Sequence, residues 1–257
     1  IHIEEEDSVM LHSKNRVAQS GKVNIAVVLL QHMSNFTDFN ALEHDDRIHL
    51  YYSNQPSEIA LADIIIIPGT KNTLQDLQVL RRDGIAQAIL QAHTAGKTIL
   101  GICGGYQMLG QELHDPNHIE SELSQIPGLG LLPIKTMLEG EKITRQVGFH
   151  FSDLPNECIG YEIHNGRTDY LAEIEVLNKL TDGTNDGCRV RNCMGTYIHG
   201  ILDNQSFVDY LIAPYSSKNQ TKSFDYFKFK EEQFDKLADH VRKNVDMKLI
   251  YEIMNAE

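Results

Sequence analysis

The sequence predicts a doubly wound, mostly parallel α/β sheet with a β-rich extension and a C-terminal helix. Three observations support this prediction: continuous runs of β-branched residues, helical stripes of leucine, isoleucine and alanine between these runs, and glycines where helices would end. Strands buried on both faces appear as unbroken apolar runs, and their alternation with helices is typical of such a sheet.

The first half of the chain alternates strand and helix. Residues 74–95 carry apolar stripes interrupted by Gly84, which predicts two helices, and Gly96 is placed to end the second. The last strand of this half leads directly into a predicted helix at 106–113. The four predicted strands are 22–30, 48–52, 63–67 and 98–102.

After residue 125 the strands become shorter and mixed, which predicts an extension of the same sheet rather than an independent domain. A polar linker at 216–222 precedes an amphipathic C-terminal helix, whose stripe we expect to pack on the body rather than on a partner. We divide the chain into residues 1–21, a body at 22–215, and a linker with helix at 216–257. Strand candidates in the extension are 129–134, 143–151, 159–164 and 194–198, and the apolar stripe of the helix comprises Phe234, Leu237, Ala238, Val241 and Val245.

Composition excludes several classes of protein. The 257 residues include 23 Lys and Arg against 36 Asp and Glu, a net charge of −13, which argues against a nucleic-acid partner. The longest apolar run is about eight residues, whereas a membrane span needs about 20. The first residues lack a basic and apolar leader, so we expect a cytoplasmic protein. The four cysteines have spacings that predict neither a disulfide scaffold nor a zinc site, and we expect no metal.

Cys103 is the candidate nucleophile. It stands between a predicted strand and a predicted helix, with glycines at 101, 104 and 105. A nucleophile on a sharp strand-to-helix turn needs neighbours without a Cβ, and a thiol at a helix N-terminus gains thiolate character. The alternative is a small buried core cysteine beside a tight turn.

His199 is the candidate base among twelve histidines, because it ends a predicted strand just before a glycine. Carboxyl ends of strands gather at one edge of an open α/β sheet, where ligands bind, so we expect Cys103 and His199 to meet there. The turn after the strand at 63–67 ends at the same edge. Backbone N–H groups near Gly69 and at Gly104 are therefore candidates for an oxyanion hole.

Together these segments resemble the class I glutamine amidotransferases of the cobalamin pathway, most of all the cobyric acid synthases. The resemblance extends from about Val23 to the C-terminal helix, and the segment Ser34–Phe39 favours the cobyric acid synthases over the related a,c-diamide synthases. It rests on Ser34-Asn-Phe-Thr-Asp-Phe39, Pro68-Gly-Thr-Lys-Asn-Thr73, Gly101-Ile-Cys-Gly-Gly-Tyr-Gln-Met-Leu-Gly110, Gly160-Tyr-Glu-Ile-His-Asn-Gly-Arg-Thr168 and Gly195-Thr-Tyr-Ile-His-Gly200.

The resemblance implies a flavodoxin-like fold and the glutaminase part of an ATP- and glutamine-dependent amidase of corrin carboxylates. The Cys103 thiolate would attack L-glutamine, and His199 would serve as acid and base. The implied partners are L-glutamine, the preceding synthetase domain of the same protein and, through that domain, a corrin acceptor. No cofactor is implied in this chain, since ATP and magnesium belong to the synthetase domain, of which residues 1–21 would be a remnant.

The sequence departs from the broader class at one position. Members usually place a glutamate two residues after the histidine to orient it, and here that residue is Ile201. Glu162 and Asp203 are the candidates for this role within the chain, and a Cys–His dyad or a residue of the other domain are alternatives. Arg145 is the candidate for binding the α-carboxylate of glutamine, since arginine binds carboxylates bidentately, and the alternative is a solvated charge on a strand.

Three other functions remain open from sequence. The same glutaminase could serve a different acceptor, such as a cell-wall precursor. A cysteine peptidase or esterase on the same sheet would turn over peptides or esters without free glutamine. A binding or regulatory module whose site has decayed is the third alternative, which the pair Cys103 and His199 argues against.

Overall fold

Five parallel strands form the centre of the molecule, four of them predicted by the apolar runs and one, Cys193–Thr196, overlapping the candidate 194–198 that the sequence assigns to the extension. In the computed structural model, which describes residues 1, 18–151, 154, 156–216 and 223–255, they lie in the order β2-β1-β3-β4-β11. Every residue of these strands is buried, because helices or loops cover both faces. The strands are β1 (Val23–Val28), β2 (Ile48–Ser53), β3 (Ile64–Ile67), β4 (Thr98–Ile102) and β11 (Cys193–Thr196).

The antiparallel extension continues the same sheet. It leaves β11 through β10 and β9, then passes to the long pair β7 and β8 and ends at β12, which confirms the expectation of one sheet. Two short strands, β5 and β6, pair beside β7. The bounds are β5 (Glu112–His114), β6 (Gln125–Pro127), β7 (Ile134–Phe151), β8 (Glu157–Tyr170), β9 (Glu175–Leu180), β10 (Asn185–Val190) and β12 (Ile198–His199).

Helices connect the parallel strands at the expected places. Gly84 separates α3 from α4, and Gly96 has φ +84°, the left-handed conformation that commonly follows a helix end. The helices are α1 (Asn40–His44), α2 (Pro56–Ile59), α3 (Thr73–Arg82), α4 (Ile85–Thr94), α5 (Gly104–Met108), α6 (Gln205–Ile212), α7 (Tyr226–Asn244) and α8 (Met247–Met254), with 3₁₀ turns at Phe36–Phe39 and Ile201–Asp203.

Some predicted elements differ from the observed ones. The predicted helix at 106–113 begins two residues earlier and ends at Met108, because Glu112–His114 pairs as β5. The predicted strand at 129–134 is irregular through residue 133, and only Ile134 belongs to a strand. Strands β9 and β10 and helix α6 were not predicted.

The C-terminal amphipathic segment forms two helices rather than one. Only Tyr226 and Gln233 of α7 are buried, and no residue of α8 is. The stripe expected to pack on the body is instead largely exposed, with Phe234 at 51%, Val241 at 37% and Val245 at 42%. The expectation of self-docking was therefore wrong for these residues, since α7 contacts the body through its first turns. Most of the preceding linker, and most of residues 1–21, lie outside the described residues.

Candidate active site

Cys103 lies on a sharp turn between β4 and α5. Its backbone has φ +52° and ψ −110°, a conformation that non-glycine residues rarely adopt and that marks strained functional positions. A Cβ at Gly105 would stand 1.9 Å from the carbonyl oxygen of Ile67, and one at Gly101 would stand 2.7 Å from the backbone of Gly105. The need for glycines around the thiol is therefore confirmed.

Cys103 is 9% exposed and belongs to the buried core. Its sulfur lies 3.6 Å from the carbonyl oxygen of Ile163 in β8, to which it can donate. The structure thus places the thiol at the junction of the parallel sheet and the β7–β8 pair.

His199 meets Cys103 at this junction. It ends β12, opposite Tyr161 of β8, and is 1% exposed. Gly69 lies against both side chains: a Cβ there would lie 3.1 Å from His199 Cε1 and 3.7 Å from the Cys103 Cβ. Strands 96 residues apart in the chain thus bring thiol and imidazole together, as the position of both at strand ends predicts.

The carboxylate on His199 belongs to Asp38, a residue that sequence reasoning missed. Asp38 Oδ2 lies 2.7 Å from His199 Nδ1, and Oδ1 accepts a hydrogen bond of 3.0 Å from the Gly200 N–H. A carboxylate only accepts, so Nδ1 carries the proton and Nε2 is left for other chemistry. Nε2 is buried and forms no hydrogen bond among the described residues.

Neither carboxylate proposed from the sequence contacts the His199 ring nitrogens. Glu162 is held 2.5 Å from Arg145 Nε, because alternate residues of β8 face opposite sides of the sheet and its neighbour Tyr161 faces the histidine. Asp203 follows in the 3₁₀ turn and lines a separate cavity together with Tyr161 and Lys230. The structure therefore places Asp38, and neither Glu162 nor Asp203, against the Nδ1 atom of His199.

The protonation of His199 depends on its burial and on its neighbours Asp38 and Cys103. Burial lowers the pKa of the imidazole, but the carboxylate charge, its hydrogen bond and the neighbouring Cys103 more than offset this and raise the pKa to about 10. The Tyr161 ring stacks on the His199 imidazole, with ring centroids 5.2 Å apart and an interplanar angle of 18°. The arrangement favours an imidazolium next to the thiol.

The turn after β3 lies against the N-terminus of α5. The Gly69 carbonyl accepts a hydrogen bond of 3.0 Å from the Ser34 N–H, and Thr70 forms a bridge with Met33. A Cβ on Gly104 would stand 3.2 Å from the Thr70 nitrogen, so the Gly69 turn and the start of α5 lie in close contact. Gly104 is the first residue of α5, and its N–H has no acceptor within the helix.

A cavity of about 280 Å³ opens onto Cys103. The charged residues in its lining are the acidic Glu120 and the basic Lys71 and Lys142. Glu120 accepts hydrogen bonds from the Thr73 N–H and hydroxyl at 3.1 and 3.0 Å, and burial raises its pKa. The cavity therefore presents both signs of charge within reach of the thiol.

Asp115 fixes the loop that carries Glu120. Its carboxylate is fully buried and accepts from the backbone N–H groups of Ile119, Glu120 and Ser121 at 2.7, 3.0 and 3.0 Å. Three such bonds hold the loop in one conformation, so the Glu120 carboxylate is held in place before any ligand arrives.

Arg145 lies outside this cavity. Its guanidinium pairs with Glu162 and, at 2.8 Å, with Asp182, and both partners raise its pKa. Its assignment to a glutamine carboxylate remains a prediction.

Neither a metal-binding group of side chains nor a membrane-spanning helix is found in the described part of the chain. His, Cys, Asp and Glu residues nowhere gather there in a group of three or more that could hold a metal ion. None of the helices described is both long and apolar enough to cross a membrane.

Curated relatives match the chain along its whole length. It is 59% identical over 257 residues to cobyric acid synthase of Bacteroides fragilis, covering 99% of this chain and 52% of that protein. Cobyric acid synthase of Phocaeicola vulgatus is 58% identical over 259 residues, and that of a Thermoanaerobacter species 41% over 275 residues. The chain spans about half the length of these relatives.

Solved structures support the fold. A crystal structure of a glutamine amidotransferase aligns with a TM-score of 0.58 at 18% identity, covering 74% of this chain and 97% of that one. The PurLQS structure of Thermotoga maritima aligns with a TM-score of 0.54 at 21% identity, covering 69% and 87%. Residues 24–207 match the CobB/CobQ-like glutamine amidotransferase domain, and the chain belongs to that family.

Proposed function

We propose that this domain hydrolyses L-glutamine through a Cys103 thioester and releases ammonia for amide formation. The observation that carries the proposal is the strained Cys103 thiol against a buried imidazole whose Nδ1 is held by a carboxylate. This arrangement activates a sulfur nucleophile by an adjacent base, and the base is itself oriented by a third group.

The reaction follows from the positions of the groups. The Cys103 thiolate attacks the side-chain amide carbon, and the oxyanion is met by N–H groups of Gly104 and the Gly69 turn. Each such donor contributes about 3 to 4 kcal/mol to stabilising the transition state. His199 Nε2 gives a proton to the departing nitrogen, the C–N bond breaks, and ammonia leaves. His199 then takes a proton from water, which attacks the thioester and releases glutamate and the thiol.

The charges of the 280 Å³ cavity support glutamine over a peptide or ester. Free glutamine is a zwitterion, and the cavity pairs one carboxylate with two ammonium groups. We infer that Glu120 binds the α-ammonium group and that Lys71 and Lys142 bind the α-carboxylate, in place of Arg145. Charged hydrogen bonds of this kind contribute about 1.5 to 3 kcal/mol each.

The acceptor is proposed from the relatives. Their name, cobyric acid synthase, and their twofold greater length support a glutaminase that serves a second half of the polypeptide. That half would activate corrin carboxylates with ATP and magnesium in the cytoplasm, and this domain, residues 22–215, would supply ammonia to it. Residues 1–21 would belong to the connection between the halves.

The proposal is tested by mass spectrometry after exposure to a diazoketone analogue of glutamine. We expect one adduct, on Cys103, that excess glutamine blocks and that Cys103→Ala abolishes. His199→Ala should slow the labelling strongly, since it removes the base. Cys158, Cys188 and Cys193 serve as internal controls, because burial raises the pKa of each thiol.

Two results would refute the proposal. Labelling spread evenly over the four cysteines would mean that no glutamine site exists. Cys103-dependent turnover of peptides or esters that glutamine does not inhibit would identify a hydrolase of another class.

A further inference from the structure

The segment Ser34–Phe39 crosses the edge of the sheet where Cys103 and His199 meet. It follows β1 and is anchored to the Gly69 turn by the Ser34 N–H. Asn35 has φ +56°, and this left-handed residue starts the 3₁₀ turn Phe36–Phe39, which carries Asp38. Asp38 is 3% exposed, and its hydrogen-bond partners in the described part of the chain are His199 and the Gly200 N–H rather than a lysine or arginine.

Asp38 fixes both the ring and the backbone of the histidine. One carboxylate oxygen binds His199 Nδ1, and the other binds the N–H of Gly200. The two bonds together restrain the ring orientation and the turn that follows β12. Burial strengthens both, because water does not compete at either oxygen.

The same segment also restrains the face of the ring. Asn35 donates from Nδ2 to the hydroxyl of Tyr161 at 2.8 Å, and the Tyr161 ring stacks on His199. A Cβ on the adjacent Gly160 would stand 2.6 Å from the His199 carbonyl oxygen, so β8 approaches β12 as closely as backbone allows. Asn35 therefore restrains the Tyr161 side chain, and the stacked Tyr161 ring restrains the orientation of the His199 imidazole.

The usual position for an orienting residue is unavailable in this chain. Ile201, two residues after the histidine, is fully buried and has no polar atom in its side chain. The ionisable side chains that face His199 are Asp38, Cys103 and Tyr161, with His164 interacting electrostatically from β8. Asp38 alone among them is a carboxylate.

We propose that Ser34–Phe39 is the histidine-positioning segment of this domain, with Asp38 orienting His199 through Nδ1 and Asn35 acting through Tyr161. The proposal rests on the glutaminase function above and deepens it. Asp38 keeps Nε2 towards Cys103 and stabilises the imidazolium that forms when the thiol gives up its proton. Asp38 thereby takes the orienting role that a residue shortly after His199 would otherwise fill.

The first test is Asp38→Asn, with Asp38→Glu as the conservative variant and Glu43→Gln as the control. Glu43 is a nearby exposed carboxylate on α1 that does not contact His199. We expect Asp38→Asn to lower kcat by about 10³- to 10⁴-fold, the size seen when a triad carboxylate is neutralised, with KM for glutamine within about threefold. Asp38→Glu should recover part of the loss.

The pH profile separates positioning from a general structural defect. Asp38 raises the pKa of His199, so its removal lowers the pH at which the imidazolium is lost. The alkaline limb of kcat should therefore move to lower pH in Asp38→Asn and stay in place in Glu43→Gln. Tyr161→Phe, which keeps the ring but loses the Asn35 bond, should cost less in kcat than Tyr161→Leu.

A measurement independent of turnover covers the case in which a variant is poorly active. With ¹⁵N-histidine labelling, and His199→Gln to assign the signal, the wild-type protein should show a strongly hydrogen-bonded Nδ1 proton that Asp38→Asn lacks. Circular dichroism establishes that each variant is folded.

The outcomes distinguish this proposal from the glutaminase function. If Asp38→Asn keeps the wild-type kcat and pH profile, or if Glu162→Gln or Asp203→Asn reproduces the full loss, the positioning role is wrong. If instead wild-type protein never labels at Cys103 but the Nδ1 signal still depends on Asp38, the glutaminase proposal fails and the positioning of His199 stands.

Discussion

At the scale of residues, the site is defined by which charges are buried and what they face. Asp38 is paired with an imidazole and Asp115 with three backbone N–H groups, so each has partners that compensate for its burial. Glu120 differs, because its partners are the N–H and hydroxyl of Thr73 and it lines an open cavity. It is the carboxylate left to meet a cation from outside.

Glu120→Gln should therefore weaken glutamine binding rather than catalysis. We expect KM to rise about 10- to 100-fold with kcat within about threefold, since a charged hydrogen bond of about 1.5 to 3 kcal/mol is lost. Steady-state kinetics of glutamate release measures both values. Glu122→Gln, an exposed carboxylate two residues away, is the matched control.

A glutamine analogue without the α-amino group makes this prediction sharper. Wild type should bind this analogue as weakly as Glu120→Gln binds glutamine. Wild type and Glu120→Gln should bind the analogue equally. If Glu120→Gln binds glutamine normally, or weakens both ligands equally, the carboxylate does not recognise the α-ammonium group.

Sequence reasoning found the thiol and the imidazole but not their carboxylate, and the reason is physical. Cys103 and His199 each follow an apolar strand, and such strand ends gather at one edge of a parallel sheet. Asp38 lies in an irregular segment 161 residues before His199, so no periodicity or spacing connects the two. Glu120 likewise depends on a loop conformation set by Asp115, which sequence does not reveal.

At the scale of elements, the strand-to-helix turn works because β3, β4 and α5 touch through backbone. Continuous apolar runs made these parallel strands predictable. Strands β9 and β10, by contrast, mix charged, polar and apolar residues over six positions each, so neither alternation nor an apolar run marks them. Their pairing is decided by neighbours in the sheet.

Gly105→Ala tests the close approach of α5 to β3. Its Cβ would stand 1.9 Å from the Ile67 carbonyl oxygen, and that backbone belongs to a fully buried strand that has little freedom to move. We expect a loss of at least about 2 kcal/mol in the free energy of unfolding. Urea denaturation followed by circular dichroism gives this value.

Gly140→Ala is the control for this substitution. Position 140 lies in β7 with no heavy atom within 4 Å of a built Cβ, so its effect should stay within about 0.5 kcal/mol. Equal stabilities of the two variants would show that α5 can shift away from β3 at little cost.

At the scale of the whole molecule, β11 joins the parallel core to the antiparallel extension. It pairs with β4 on one side and β10 on the other, and a buried carboxyl lies at this joint. Asp186 accepts from Asn178 Nδ2 and the Tyr197 N–H, both at 2.9 Å, and from the hydroxyl of Thr196. A titrating group here couples the stability of the entire sheet to pH.

The sign of this coupling follows from burial. Burial raises the pKa of Asp186 to about 6, despite the hydrogen bonds that lower it, whereas an unfolded aspartate titrates near 3.9. The folded protein therefore holds a proton that the unfolded chain has released. This contribution to stability is complete below about pH 4 and is lost as the pH rises through about 6.

Asp186→Asn should remove the loss of stability that the wild-type protein shows as the pH rises through about 6. Asn178 Oδ1 has no partner among the described residues, so its amide can turn to accept from the amide introduced at position 186. The free energy of unfolding of the variant, relative to wild type, should rise by about 2 kcal/mol between pH 4 and pH 7. Urea denaturation across that range measures it.

Asp182→Asn should behave oppositely, because hydrogen bonds from Thr184 lower the pKa of this exposed carboxyl. Parallel stability curves for wild type and Asp186→Asn would show that the buried carboxyl stays ionised across the range, which would leave the joint between the two halves of the sheet insensitive to pH.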